Sequence, residues 1–168
     1  LQLNANRMKL RATEEMTNTR IALQMDDGGP RSGKITGDIG QNKKIDVTID
    51  TEGGVRNVVV KSDDAGFAAR VMLKADYIVG GKMTFDGKFD GDKGDALVTM
   101  ENVRLKDAPL VAQLFSLASL QGLADVLSGE GVLFTDVYAP VKLVNGRIDL
   151  PGMRATGPAM GITARGWI

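Results

Sequence analysis

The chain contains no cysteine and no histidine among its 168 residues. Without histidine it has no Ser-His-Asp or Cys-His catalytic group, and without either residue it has no zinc site of the usual kind. The lack of cysteine also excludes disulfides and thiol redox chemistry. Composition therefore favours a protein that is not an enzyme.

Charge of one sign is not in excess either. Lys plus Arg total 21 and Asp plus Glu total 21, so the formal net charge is zero. A balanced chain has no overall field that would attract nucleic acid, so no nucleic-acid partner is expected. The charges are concentrated in residues 1–107, and residues 108–168 are unusually apolar.

Aromatic residues make up only 5% of the chain, whereas glycine is abundant, at 21 residues. Many glycines stand in turn signals between runs that alternate apolar and polar residues. The clearest run is 43–51, where Ile45, Val47 and Ile49 alternate with polar residues. Such alternation predicts a strand with one buried and one solvated face, as in antiparallel sheets.

Two segments break this pattern and are predicted as helices, at about 65–74 and 108–127. We therefore expect an α+β fold, a long curved antiparallel β-sheet of eight to ten strands with two helices. The second helix is apolar on nearly every side. Three interpretations stay open: a core helix, a plug at the end of the sheet, or a helix with one face toward lipid.

Carboxylates cluster in one predicted hairpin, at Asp86, Asp90, Asp92, Asp95 and Glu101. Taken as a calcium loop starting at Asp90, the segment has Asp95 where glycine is required, and its flanks are strand-like. A solvated hairpin is the favoured interpretation. No phosphate-binding glycine motif and no nucleophile elbow is present. We predict no catalytic residues, no metal and no cofactor.

Six short segments occur in an order that resembles a known family. They are Ser62-Asp63-Asp64-Ala65-Gly66, Gly80-Gly81-Lys82-Met83, 103–110, 117–123, 127–134 and 157–166. Their order resembles the AsmA-like C-terminal region of the large AsmA/YhdP-type proteins of Gram-negative bacteria. The resemblance covers about residues 58–168, while 1–57 match only in style, as strands of the preceding sheet.

The resemblance implies a single AsmA-like domain over 1–168, taken from a longer protein. That protein would lie in the periplasm and be anchored in the inner membrane. The resemblance also implies a role in phospholipid transport, outer-membrane assembly and lipid homeostasis, through an apolar β-sheet groove. Phospholipid or another acyl lipid is the expected ligand, and an envelope protein is an expected partner.

Hypothetical lipid contacts follow from the apolar positions of one strand and one helix. They are Ile45, Val47, Ile49, Leu114, Phe115, Leu117 and Leu120. An ordinary core role is the competing interpretation for each of these residues. The competing function is a structural or protein-interaction module that caps or docks a partner without binding lipid. An enzyme acting through the Asp residues is the least favoured hypothesis.

Overall fold

The computed structural model describes residues 1–11, 13–106 and 131–167. In chain order these residues form β1 (Gln2–Lys9), β2 (Glu15–Asp26), β3 (Gly29–Asp38), β4 (Lys44–Glu52), β5 (Val55–Ser62), α1 (Ala65–Leu73), β6 (Ile78–Val79), β7 (Lys82–Asp90), β8 (Lys93–Leu105), β9 (Val132–Val144), β10 (Arg147–Thr156) and β11 (Gly161–Trp167).

The strands form a single antiparallel sheet in the order β1-β2-β3-β4-β5-β7-β8-β9-β10-β11, and the short β6 pairs with β8. Apart from β6, each strand lies beside the next along the chain, as expected for short connections. The sheet is open, because β1 and β11 are its two edges. The alternation of strand direction places the hairpin turns at 27–28, 53–54, 91–92 and 145–146 at the same end of the sheet, here called the hairpin end.

The expected α+β fold with two helices is wrong for the described chain. Strands account for 71% of the described residues, and α1 is the single short helix among them. The predicted helix at 65–74 is found as α1, but the predicted helix at 108–127 lies outside the described residues. The fold class differs from the predicted α+β class because the strands are longer and more continuous than the alternation in the sequence suggested.

Strand β9 shows why the strands were underestimated. The sequence breaks into two runs near Pro140, yet β9 continues through it for 13 residues. Pro140 pairs with Leu97 of β8. On the other side, the register between β9 and β10 shifts between Asp149 and Arg154. Proline lacks a backbone N–H and is tolerated where a ladder is interrupted, so this irregularity accommodates Pro140 inside a long strand.

Helix α1 lies on the apolar face of the sheet, at the end opposite the hairpin turns. Ala65 and Ala68 belong to the same buried cluster as Val60, Met83 and Val103. Asp64 caps the helix, because its Oδ1 accepts a hydrogen bond from the backbone N–H of Phe67 at 2.9 Å. No helix in the described ranges is long and apolar enough to cross a membrane.

We expect Asp64→Ala to lower the free energy of unfolding by about 1–2 kcal/mol, because it removes the helix cap. Its other partner, Lys43 Nζ at 2.6 Å, is partly exposed and adds little. Urea denaturation measures the change. Asp64→Asn keeps an acceptor at the cap and should lie within about 0.5 kcal/mol of the original chain. Equal loss in both variants would show that the Lys43 pair, not the cap, matters.

The loop between β1 and β2 holds the second half of α1. Glu14 accepts hydrogen bonds from Arg70 Nε at 2.6 Å and Nη2 at 3.3 Å, and Arg11 donates to the carbonyl of Val71 through Nε at 2.9 Å and Nη2 at 2.6 Å. The hydrogen bond to Glu14 raises the pKa of Arg70 above its ordinary value, so this guanidinium stays charged. One short helix thus contacts both the β1–β2 loop and strands β7 and β8.

Candidate functional site

The most extensive feature of the molecule is the apolar face of the sheet. Residues that are directly paired across antiparallel strands point to the same face, so the pairing defines rows that cross the sheet. Row 1 consists of Gly37, Ile45, Ser62, Met83, Met100, Val137, Ala155 and Ile162. Row 2 consists of Leu3, Ile21, Ile35, Val47, Val60, Phe85, Val98 and Ala139. Row 3 consists of Leu23, Gly33, Ile49, Val58, Gly87, Ala96 and Val141.

Burial along this face decreases from α1 toward the hairpin end. In row 1, Met83 and Met100 are only 6% and 9% exposed. In row 3 every apolar side chain is half-buried, namely Leu23, Ile49, Val58, Ala96 and Val141. A second layer of described residues therefore covers the face only near α1. The rest of the apolar face crosses seven strands and has no described residue layered over it.

The opposite face of the same strands is polar and balanced in charge. In the strand register, lysines and aspartates alternate across four neighbouring strands, in the order Lys88, Asp95, Lys142 and Asp149. Lys34 Nζ lies 2.7 Å from Asp46 Oδ2, and Lys142 Nζ lies 3.6 Å from Asp95 Oδ1. These exposed pairs contribute little stability, but they keep this face in water. Between β3 and β10 the sheet therefore has charged pairs on the face opposite the apolar rows.

A concavity lies mostly on the polar face of the sheet. It measures about 480 Å³ and is lined by β2, β3 and β4. Its charged residues are two cations, Arg20 and Lys44, and two anions, Asp38 and Asp46. The two signs cancel, and the concavity is shallow and open. It offers neither an apolar pocket nor a net charge that would select a ligand.

Three of the predicted contact residues are brought together. Ile45, Val47 and Ile49 lie on the apolar face in rows 1, 2 and 3, and all three are half-buried. The other four, Leu114, Phe115, Leu117 and Leu120, lie outside the described residues. Sequence reasoning named only β4 for the sheet. The same alternation in 83–89 was the available signal for β7, which adds Phe85 and Phe89.

Phe85 and Phe89 form the aromatic part of this face. Their rings stack with centroids 6.3 Å apart and planes inclined by 10°. Both rings lie over Gly87, where an added Cβ would come within 2.7–2.8 Å of them. Glycine at this position of row 3 therefore leaves the space that the two rings fill.

The predicted acidic cluster does not form a site. Asp86 pairs with Leu97 within β7 and β8, and Asp95 pairs with Lys142 across β8 and β9. In the described parts of the chain, no group of three or more carboxylates is arranged to hold a metal ion.

Row 4 ends the apolar face at the hairpin end, and it is polar on one side. It consists of Thr51, Arg56, Phe89, Gly94, Leu143 and Ile148. Arg56 and Thr51 therefore point to the same face as the apolar rows.

Comparison with known proteins gave no match to a family model, to a curated protein or to a solved structure.

Proposed function

We propose that this chain is a non-enzymatic periplasmic domain of an AsmA-like protein, and that its apolar sheet face binds the acyl chains of phospholipids. The parent protein would act in phospholipid transport or outer-membrane assembly. The family, the periplasmic location and the inner-membrane anchor of the parent protein rest on the resemblance of residues 58–168. The ligand class rests on the apolar face.

One observation carries the proposal. Row 3 presents half-buried apolar side chains on five of the seven strands that it crosses, with no described residue layered over them. Large contiguous apolar surfaces on soluble domains mark sites for partners or ligands. Burial of acyl chains contributes about 0.8 kcal/mol per methylene group. Such binding needs no acid, base or metal, which suits a chain without histidine and cysteine.

The test compares lipid binding by the original chain with binding by three variants of β4. We expect the chain purified from a Gram-negative host to carry phospholipid, detected by native mass spectrometry and lipid extraction. Ile49→Asp places a charge on row 3 and should weaken binding about tenfold, because contact with about two methylene groups, worth about 1.6 kcal/mol, is lost.

Two matched variants serve as controls. Thr48→Asp adds the same charge to the neighbouring residue, which is exposed and does not belong to the apolar rows. It should bind lipid normally, as should the conservative Ile49→Leu. Circular dichroism checks that each variant is folded. A folded original chain that neither carries phospholipid nor extracts it from vesicles would overturn the proposal.

A module that docks a protein partner is the second candidate, and a different surface favours it. Met72 and Leu73 at the end of α1 are 51% and 68% exposed, and Tyr77 nearby is 42% exposed. A lipid-free chain that binds an envelope protein through this surface would support docking instead. Met72→Ser and Leu73→Ser would then weaken partner binding, whereas Ile49→Asp would not.

A further inference from the structure

Two unpaired polar atoms lie at the hairpin end of the apolar face. Arg56 Nε and Thr51 Oγ1 are both buried and have no hydrogen-bond partner among the described residues. The two residues are directly paired across β4 and β5, so their side chains are neighbours on one face. Buried polar groups in proteins nearly always have a partner. Two such exceptions side by side leave two donors that the acceptor atoms of a ligand can satisfy.

The guanidinium is held in place by the protein. Arg56 Nη2 donates to the carbonyl of Gly28 in the β2–β3 turn, at 3.2 Å. No carboxylate of the described chain forms an ion pair with Arg56. The guanidinium is therefore oriented by a backbone carbonyl and not by a salt bridge. An arginine fork in this state is suited to an oxyanion, above all to phosphate.

Arg56 and Thr51 lie in row 4, next to the apolar side chains of row 3. Arg56 is paired on its other side with Phe89, whose ring stacks on Phe85. Val58, two residues from Arg56 along β5, lies in row 3. A ligand with an oxyanion at Arg56 would thus have its apolar part on row 3. That arrangement fits an amphiphile with a charged head and an acyl tail.

The charges near Arg56 indicate which kind of headgroup the ligand carries. The β2–β3 turn, whose Gly28 carbonyl accepts from Arg56, carries Asp26 and Asp27, and both are exposed. Asp27 is not ion-paired within the described chain. These carboxylates disfavour a purely anionic head but favour an ammonium group beyond the phosphate. The combination is complementary to a zwitterionic phosphodiester.

We propose that Arg56 and Thr51 form a headgroup site that binds the phosphodiester of a zwitterionic glycerophospholipid, whose acyl chains lie on row 3. This inference rests on the proposed function and adds to it the class of lipid head. It also gives the ligand a direction, with its head at the hairpin end and its tails toward α1. The third unpaired buried atom, Thr19 Oγ1, lies instead near Met16 and Gly37 at the packed end.

The test uses the purified 168-residue chain and three fluorescent lipids with the same acyl chains. They are phosphatidylethanolamine, phosphatidylglycerol and diacylglycerol, which has no phosphate. We expect phosphatidylethanolamine to bind most tightly and to exceed diacylglycerol by about tenfold, the factor expected for a charged hydrogen bond. Arg56→Gln should remove this preference and leave diacylglycerol binding unchanged. Thr51→Val should reduce the preference by a few-fold.

The matched control is Arg154→Gln, because Arg154 is an exposed arginine paired with Tyr138 and Thr163, outside the apolar rows. It should leave all three affinities unchanged. Equal binding of phosphatidylethanolamine and diacylglycerol by the original chain, or a preference that survives Arg56→Gln, overturns the headgroup site but not lipid binding. Failure to bind any of the three lipids overturns the proposed function as well.

Two further outcomes define the ligand. Equal binding of phosphatidylglycerol and phosphatidylethanolamine would overturn the ammonium part of the proposal. Competition by free glycerophosphoethanolamine as strong as that by the lipid would show a soluble phosphodiester as the ligand and overturn the assignment to lipid. Weak competition by the free headgroup is the expected result, because most of the binding energy comes from the acyl chains.

Discussion

Replacing Phe134 with alanine is expected to lower the free energy of unfolding by about 3–5 kcal/mol, the usual range for a large buried side chain. Phe134 is 2% exposed and is the largest of the fully buried side chains described. It is paired with Val103 across β8 and β9 and lies in the buried cluster that includes Ala65 and Ala68 of α1. Equilibrium unfolding in urea measures the loss.

Tyr138→Ala is the control for Phe134→Ala. Tyr138 lies on the same strand, β9, but is 47% exposed and pairs with Thr99 and Arg154 outside the apolar rows. Its removal should change stability by less than about 1 kcal/mol. A small effect at Phe134, equal to that at Tyr138, would mean that the packed end near α1 is not the stabilising core of the sheet.

Gly33→Ala is expected to be as damaging as the loss of Phe134, for a backbone reason. Gly33 has a φ of +142°, and an added Cβ would lie 2.0 Å from the carbonyl oxygen of Ala22 and 2.8 Å from Leu23 Cα. Both neighbours are backbone atoms of β2, so they can move only if strand pairing is disrupted. We expect a loss of about 3 kcal/mol or more.

The same change at Gly152 provides the comparison. An added Cβ there meets no atom within 4 Å, and Gly152 is not among the glycines with positive φ. Gly152→Ala should therefore be nearly neutral. Thermal unfolding of the two variants side by side tests the difference. If Gly33→Ala unfolds with the original midpoint, the close approach of β2 and β3 at this position is not required.

Local structure could be predicted from the sequence where a single strand or turn contains the whole pattern. The alternation of Ile45, Val47 and Ile49 predicted β4. An Asn-Gly pair is a signal of the same local kind, and Asn145-Gly146 forms the β9–β10 turn, where both residues have positive φ. An acidic residue just before a helical run, such as Asp64 before α1, is another. Each of these patterns depends on neighbours within about four residues.

The register between strands and its consequences could not be predicted from the sequence. Arg56 and Thr51 stand on opposite sides of a glycine turn in the sequence. Nothing local shows that both face the same side as the apolar rows, or that Arg56 Nε and Thr51 Oγ1 have no hydrogen-bond partner in the described part of the chain. Pro140 appeared to end a strand, whereas the register shift in β10 lets β9 continue past it. These features depend on register, which is set by contacts between strands and not by the residues of one strand.

The sequence by itself determined the amphipathic strands, the glycine turns and a chemistry without histidine or cysteine. Those properties follow from side-chain type and a two-residue period, and they require no knowledge of neighbours. The tertiary structure decided the rest. It aligned the apolar positions of successive strands into continuous rows and placed α1 over one end of them. At the other end it left Arg56 Nε and Thr51 Oγ1 without a hydrogen-bond partner among the described residues. The physical reason is that burial and hydrogen-bond satisfaction are properties of pairs of segments, which only the folded sheet brings together.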